Sequence, residues 1–313
     1  MIKENWTIED MPDQTGKTIL ITGANAGLGY LMTKAFAQKG AHVIMACRTL
    51  EKAENVKHEV SELHPDSTQE IVELDLGDLD SAERCAQTIL DGYQHLDAVM
   101  CNAGIMAVPY GTTEDGFERH MGVNYYGHFA LVGHLLPLIK SSSGVRVVTT
   151  SSTAEKTGKL NLDDPLDEDN YSRWRCYGDS KLAMLMFALI LDRKFKHAGM
   201  DAMGVSAHPG FARTDLRTSR MQTEENLFQR FLLWFFEKMS MSGQRGVLPL
   251  LCAATHPDLQ GGEYIGVSGI GEIHGSPEVT TGQKRAYDEE LQAKLWQRSE
   301  ELTGVRYDFP SPV

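Results

Sequence analysis

No cysteine spacing in this chain suggests covalent or metal chemistry. The five thiols, Cys47, Cys85, Cys101, Cys176 and Cys252, are an odd number without a C-x-x-C pair, so neither a disulfide framework nor a zinc site is expected. Reduced thiols in a cytoplasmic protein are the expectation. Long apolar runs are missing too. None approaches the roughly 18 residues that cross a bilayer, and Met1-Ile-Lys-Glu-Asn-Trp6 lacks the apolar stretch of a signal peptide. Without secretion, Asn5-Trp-Thr and Asn170-Tyr-Ser match a glycosylation pattern by chance. Positive charge is in deficit, with 30 Lys and Arg against 43 Asp and Glu for a net −13. That balance argues against nucleic acid or anionic membrane as main partners, while leaving room for a local basic pocket for a phosphate. Repeats, low-complexity stretches and linkers are absent, so the 313 residues read as one domain, large enough to bury about three quarters of its unfolded surface.

What is present is an alternation of apolar strands and amphipathic helices. Thr18-Ile-Leu-Ile-Thr22 runs into a glycine turn, Gly23-Ala24-Asn25-Ala26-Gly27-Leu28-Gly29, then a helical pattern and a second apolar run, Ala41 to Cys47. Strand, glycine turn, helix and strand form the unit that places a pyrophosphate at a helix N-terminus. An acid at the end of the second strand would bond a ribose 2′-hydroxyl. Here Cys47 and Arg48 stand there. A guanidinium without a carboxylate suits a 2′-phosphate, which selects NADP(H), with Lys52 one turn on; a surface arginine opening the next helix is the plainer alternative. Helices 51–63 and 79–90, strands 70–75 and 96–101, helical patterns 113–121 and 123–140, and strands 145–151, 202–207 and 264–267 follow, with a last helix over 288–302. The fold class expected is α/β: a doubly wound, Rossmann-type parallel sheet of about seven strands with helices on both faces. Ligands of such sheets bind beyond the strands' carboxyl ends, where Asp75, Asn102, Ser151 and Ser152 fall.

Tyr177-Gly-Asp-Ser-Lys181 opens a long apolar helix. Residues four apart share a helix face, so a phenol and an ammonium stand side by side. A free phenol titrates near about 10, and a neighbouring cation brings it towards neutrality. The same spacing recurs at Tyr30 and Lys34, where no chemistry is expected. Leu182 to Leu191 is apolar all round, so it should be covered on every side, by the sheet and by another subunit. Cys176 reads as a buried thiol and His208 as a structural histidine.

These residues resemble the short-chain dehydrogenase/reductases. Gly23, Asn25, Ala26, Gly27, Leu28 and Gly29 look like that family's cofactor turn, and Asn102-Ala103-Gly104 like the motif after its fourth strand. Asn124, Ser152, Tyr177 and Lys181 match its catalytic tetrad in order, and Pro209-Gly210 with Thr214 resembles the segment that holds the nicotinamide. Ala46-Cys-Arg48, His208-Pro-Gly210 and the long gap between Ser152 and Tyr177 resemble the branch of retinol dehydrogenases, protochlorophyllide oxidoreductases and WW-domain oxidoreductases. The chain shows no membrane anchor or WW module and resembles the soluble, bacterial-type members.

The resemblance implies NADP(H), an apolar, fairly bulky small-molecule carbonyl or alcohol substrate and a homodimer or homotetramer. It implies that Tyr177 is the general acid, that Lys181 tunes it and bonds the ribose, that Ser152 bonds the carbonyl and that Asn124 anchors a water. Ser151 could take the place of Ser152. Asp75 and Leu76 would lie by the adenine, although Asp75 could be only a turn cap. A substrate-covering segment is expected at about 211–245; its Phe231-Leu-Leu-Trp-Phe-Phe236 reads as a lid, a membrane-touching patch or core. No metal is expected. A cofactor-binding regulator without turnover, or a reductase of carbon–carbon double bonds, are the competing functions.

Overall fold

The computed structural model describes residues 2–160, 162, 171–210, 243–272 and 274–311. Its centre is a sheet built from β1 (Thr18–Thr22), β2 (His42–Cys47), β3 (Thr68–Glu73), β4 (Ala98–Cys101), β5 (Val145–Thr150), β6 (Ala202–Ala207), β7 (Tyr264–Val267) and β8 (Pro277–Thr280). The spatial order is β3-β2-β1-β4-β5-β6-β7-β8, with β8 antiparallel to β7 and every other pair parallel. The order reverses between β1 and β4, and the crevice at that switch point is where ligands of such sheets bind. Five central strands read as near-continuous apolar runs because helices cover both faces. Helices α1 (Gly27–Gln38), α2 (Leu50–Leu63), α3 (Leu79–Gly92), α4 (Gly127–His134), α5 (Leu136–Ser141), α6 (Arg173–His197), α7 (Leu248–Thr255) and α8 (Glu289–Thr303) supply the cover. No described helix is long and apolar enough to cross a membrane.

Three expectations need correction. The sheet has an eighth strand: β8 is four residues long on the sheet's edge, and its outward-facing Val279 is 52% exposed. It therefore has no apolar run to betray it. The helix expected over 113–121 is instead a reversal, with Thr112 bridged to Glu118 and Gly116 at φ 81°. A left-handed glycine ends a helix rather than continuing one. The helix expected over 123–140 comes in pieces. Met121–Tyr126 forms a π-helical turn, α4 follows, and Pro137 near the start of α5 breaks the run.

Helix α6 is the axle of the molecule, and its apolar run is already covered within one chain. Leu182 to Leu191 are each at most 8% exposed within this one chain. The sheet lies on one side. On the other, α8 and the tail after it press an aromatic layer onto α4 and α6: Phe129–Trp296 ring centroids are 5.1 Å apart, Trp296–Tyr307 4.7 Å and Phe195–Phe309 6.0 Å. Tyr307 Oη donates to the Phe129 carbonyl at 2.6 Å, and Tyr125 and Ser299 share a buried hydrogen bond of 2.8 Å. Each large side chain so covered contributes about 1.5–3 kcal/mol.

Candidate active site

The glycine turn closes tightly at the switch point. Gly23 donates its N–H to Ala46 O at 2.8 Å with φ 66°, and Gly27 opens α1 at φ 53°. A Cβ on Gly29 would come 2.0 Å from Gly23 O, so only glycine lets α1 start so close to β1. Ala26, the residue before α1, has no side-chain acceptor to cap the first N–H groups, which leaves those donors for an anion. Leu28 is buried beneath the turn, and Asn25 Nδ2 donates to Thr49 O at 3.1 Å, tying it to the start of α2.

Asn102, Ala103 and Gly104 lie against this turn. Asn102 Nδ2 donates to Thr22 O, and the N–H groups of Asn102 and Ala103 both donate to Thr22 Oγ1, all at 2.9 Å. A Cβ on Gly104 would stand 2.9 Å from Asn124 Oδ1 and 3.6 Å from Lys181 Nζ. Asn124 sits in the π-helical turn, where its amide bonds both backbone groups of Ile105 (2.7 and 3.0 Å) and Ser180 Oγ (2.9 Å). Ser180 in turn donates to Tyr177 O at 2.8 Å. His128, not singled out from sequence, braces the same turn: Nδ1 donates to Asn124 O at 2.8 Å and Nε2 accepts from Thr22 Oγ1 at 2.9 Å. Burial pushes its pKa down to about 4, so it stays neutral. The spacing Asn124 to His128, one helical turn, was the available signal.

The two serines separate cleanly. Ser151 is buried and its Oγ donates to the Lys181 carbonyl at 2.8 Å, a structural commitment. Ser152 is half-buried at the start of a 3-10 turn, Thr153–Thr157, its Oγ accepting from Ala154 N at 3.2 Å. Helix α6 packs hard on that turn, since a Cβ on Gly178 would meet Thr157 Oγ1 at 2.6 Å and Ala154 O at 2.8 Å. Next to Gly178, Tyr177 is only 9% exposed and Lys181 Nζ lies 5.8 Å from its ring centre. Lys181 Nζ donates to Thr150 O at 2.9 Å. Burial alone pushes this ammonium down to about 8. The second Tyr-Lys pair behaves oppositely. Tyr30 and Lys34 both bond the exposed carboxylate Glu59 at 2.5 and 3.1 Å, and Lys34's bonds to Tyr30 Oη (3.1 Å) and then to Glu59 raise the Lys34 pKa. Spacing is shared; burial is not.

At the other end of the crevice, Arg48 is exposed and reaches Asp75 Oδ2 at 3.6 Å, while Asp75 Oδ1 caps its own turn by accepting from Gly77 N at 2.9 Å. Cys47 between strand and arginine carries no charge, because burial lifts its thiol to about 11. Leu76 is buried against Gly127 of α4, where a Cβ would stand 2.3 Å from Leu76 O. His208 follows β6, fully buried, with Nδ1 accepting from Gly210 N at 3.1 Å around Pro209 and Nε2 3.2 Å from Glu272. Cys176 is likewise a buried thiol, held near pKa 11 by burial. No cluster that could hold a metal exists among the described residues. Thr214, the aromatic run 231–236 and nearly all of the expected 211–245 cover lie outside the described residues.

An uncapped helix start behind a left-handed glycine turn, a buried lysine beside a tyrosine and a half-buried serine line one edge of a parallel sheet. Comparison with known proteins agrees with that reading. The family model for short chain dehydrogenase matches residues 17–225, and the chain belongs to the short-chain dehydrogenase/reductases, a family of oxidoreductases. Within it the chain falls in the retinol dehydrogenase branch. It is 35% identical over 303 residues to retinol dehydrogenase 14 of Mus musculus, covering 93% of this chain and 86% of that one. It is 34% identical over 294 residues to retinol dehydrogenase 11 of Homo sapiens, covering 94% and 87%. Among solved structures, an uncharacterized protein from Mycobacterium paratuberculosis superposes with a TM-score of 0.79 at 36% identity over 97% of this chain and 99% of that one. A short chain dehydrogenase from Escherichia coli CFT073 complexed with NADPH superposes at 0.62 with 25% identity over 80% and 96%.

Proposed function

We propose that this chain is an NADP(H)-dependent oxidoreductase that interconverts a carbonyl and an alcohol on an apolar, fairly bulky substrate. The observation that carries the reading is Lys181: a buried ammonium beside Tyr177, with a backbone carbonyl rather than a carboxylate as its acceptor among the described residues. An ammonium has three protons to donate; Thr150 takes one, leaving others for a ribose hydroxyl and for the field that favours a phenolate. The uncapped start of α1 and the glycines Gly23, Gly27 and Gly29 fit a pyrophosphate. Asn102, Ala103 and Gly104 would line the ribose, Asp75 and Leu76 the adenine, and Pro209, Gly210 and Thr214 the nicotinamide.

Bound there, the nicotinamide supplies the hydride to the carbonyl carbon, or takes it from the alcohol. Tyr177 Oη gives its proton to the carbonyl oxygen and recovers one afterwards from solvent past Lys181. Ser152 Oγ donates a hydrogen bond to that oxygen as negative charge gathers on it. Asn124 fixes the spacing of this group by holding Ile105 and, through Ser180, the Tyr177 backbone. Arg48, with no charged acid at the end of β2, is the 2′-phosphate clamp, and the NADPH-bound relative supports that choice. The apolar substrate is supported by the two retinol dehydrogenases and by Trp174, whose ring is 47% exposed and edge-on to Tyr177 at 6.4 Å.

The test is consumption of NADPH, with NADH in parallel, against aliphatic, aromatic and retinoid-like aldehydes and ketones. Turnover should depend on NADPH and vanish in Tyr177→Phe while NADPH binding persists. Equal use of NADH would remove the role given to Arg48. Tight NADPH binding without turnover on any carbonyl would favour a regulatory protein.

A further inference from the structure

A buried acid–histidine pair outside the tetrad packs its imidazole against the Tyr177 ring. Glu118 is 2% exposed and His120 fully buried, which is rare for a carboxylate without strong partners. Glu118 Oε2 accepts from Met121 N at 3.0 Å, and its Oε1 lies 2.7 Å from His120 Nδ1. His120 Nε2 accepts the Val108 N–H at 3.2 Å. An accepting Nε2 carries no proton, so the ring is the neutral tautomer with its proton on Nδ1, pointed at Glu118. The face of the pair is the catalytic ring: His120 and Tyr177 meet edge-to-face with centroids 6.2 Å apart. Tyr171 Oη donates to the other backbone group of Val108, its carbonyl, at 2.7 Å.

The loop this holds is under strain. Between Ile105, bonded on both backbone groups by Asn124, and Val108, bonded on both by His120 and Tyr171, stands Ala107 at φ 48°. A non-glycine residue in the left-handed region persists only where its surroundings over-determine it. Four hydrogen bonds from three side chains do so here, and the loop they shape follows Gly104, which packs against Asn124 and Lys181.

We propose that Glu118 and His120 are positioning residues with two separable tasks: the His120 ring sets the angle of the Tyr177 phenol, and its Nε2 holds the 105–108 loop as the rigid wall against which the carbonyl substrate lies. This rests on the oxidoreductase reading above for its kinetic arm alone. Glu118 acts through His120 by fixing the tautomer.

Two variants divide the tasks. His120→Gln keeps an acceptor for the Val108 N–H and removes the ring; it should lower kcat about tenfold with KM for the carbonyl nearly unchanged, since small misplacements of a proton donor are costly. His120→Phe keeps a ring and removes the acceptor; it should raise KM about tenfold with kcat nearly unchanged, the effect of an unsatisfied buried donor on a loop that touches substrate. In the protein without cofactor, amide exchange at Val108 should speed up in His120→Phe but not in His120→Gln, while Ile105 stays protected in both. Parallel loss of kcat and KM in both variants, or unchanged Val108 exchange in His120→Phe, overturns the proposal. The exchange measurement stands even if no carbonyl is turned over, so failure of the activity reading and of this one are distinguishable. Should either variant fail to fold, Tyr171→Phe leaves the pair intact and removes one clamp. It should raise KM about threefold, and an unchanged KM overturns the loop's role.

Discussion

Lys181 shows what a single residue costs and supplies at this site. Its pKa is about 8 in the folded chain against 10.5 for a free lysine, with burial as the cause. Between these values the unfolded chain binds more protons than the folded one, so this residue makes stability rise with pH from about 8 to 10.5 and contributes no slope below 8. Lys181→Met removes the buried charge. The variant should therefore melt higher than the wild type at pH 7, the gap should close as pH approaches 10.5, and turnover should be lost. Thermal unfolding of both proteins across that range checks it; a gap independent of pH would show that the lysine is not strained by burial. By spacing alone, Lys181 and Lys34 are alike. Only burial beside Thr150, against exposure beside Glu59, tells a tuned ammonium from a surface one.

At the scale of elements, the proposed catalysis depends on how closely α6 lies on the turn that carries Ser152. Gly178 and Gly158 face each other there, since a Cβ on Gly158 would stand 2.7 Å from Gly178 O. Alanine at 178 would gain about 1 kcal/mol of helix propensity, yet its Cβ would overlap Ala154 O and Thr157 Oγ1, and overpacking costs about 1–3 kcal/mol. Contact wins. Gly178→Ala should destabilise modestly and Gly178→Val severely, with kcat falling about a hundredfold as the serine and tyrosine part. Urea unfolding together with steady-state rates would show this, and full activity in Gly178→Val would refute the close packing. The strands were legible because an apolar run needs no partner to be recognised. The π-helical turn was not, as nothing in Met121-Gly-Val-Asn-Tyr-Tyr126 marks an extra residue per turn; the bonds of Asn124 to Ile105 and of His128 to Thr22 hold it.

For the whole molecule, the C-terminal cover decides which surfaces meet water. Tail residues Val305, Tyr307 and Phe309 pack with Trp296 over α4 and α6, and Gly133 is bare because a Cβ would meet Val305 at 2.4 Å and Tyr307 at 2.8 Å. Ending the chain after Thr303 removes the tail and uncovers part of the aromatic layer. Exposed apolar patches of that kind associate, so the truncated protein should unfold at lower temperature and self-associate at concentrations where the full chain does not. Sedimentation velocity on both would decide. A truncated protein identical to the full chain would show that the tail covers nothing of consequence.

Much of the outcome was written locally. Apolar runs alternating with helical periods and glycines at a strand end determined the parallel sheet and its glycine turn, and a tyrosine four before a lysine pointed to Tyr177 and Lys181, because each signal depends on neighbours within a turn or a strand; Asn124 and Ser152 were singled out only by resemblance to a family. Tertiary structure alone decided the rest. It buried Ser151 against the Lys181 carbonyl while leaving Ser152 half-buried, and it covered α6 with residues more than a hundred positions away in sequence. It also paired Glu118 with His120 beside Tyr177. Those outcomes depend on which distant groups exclude water from a side chain, and no short stretch of sequence carries that information.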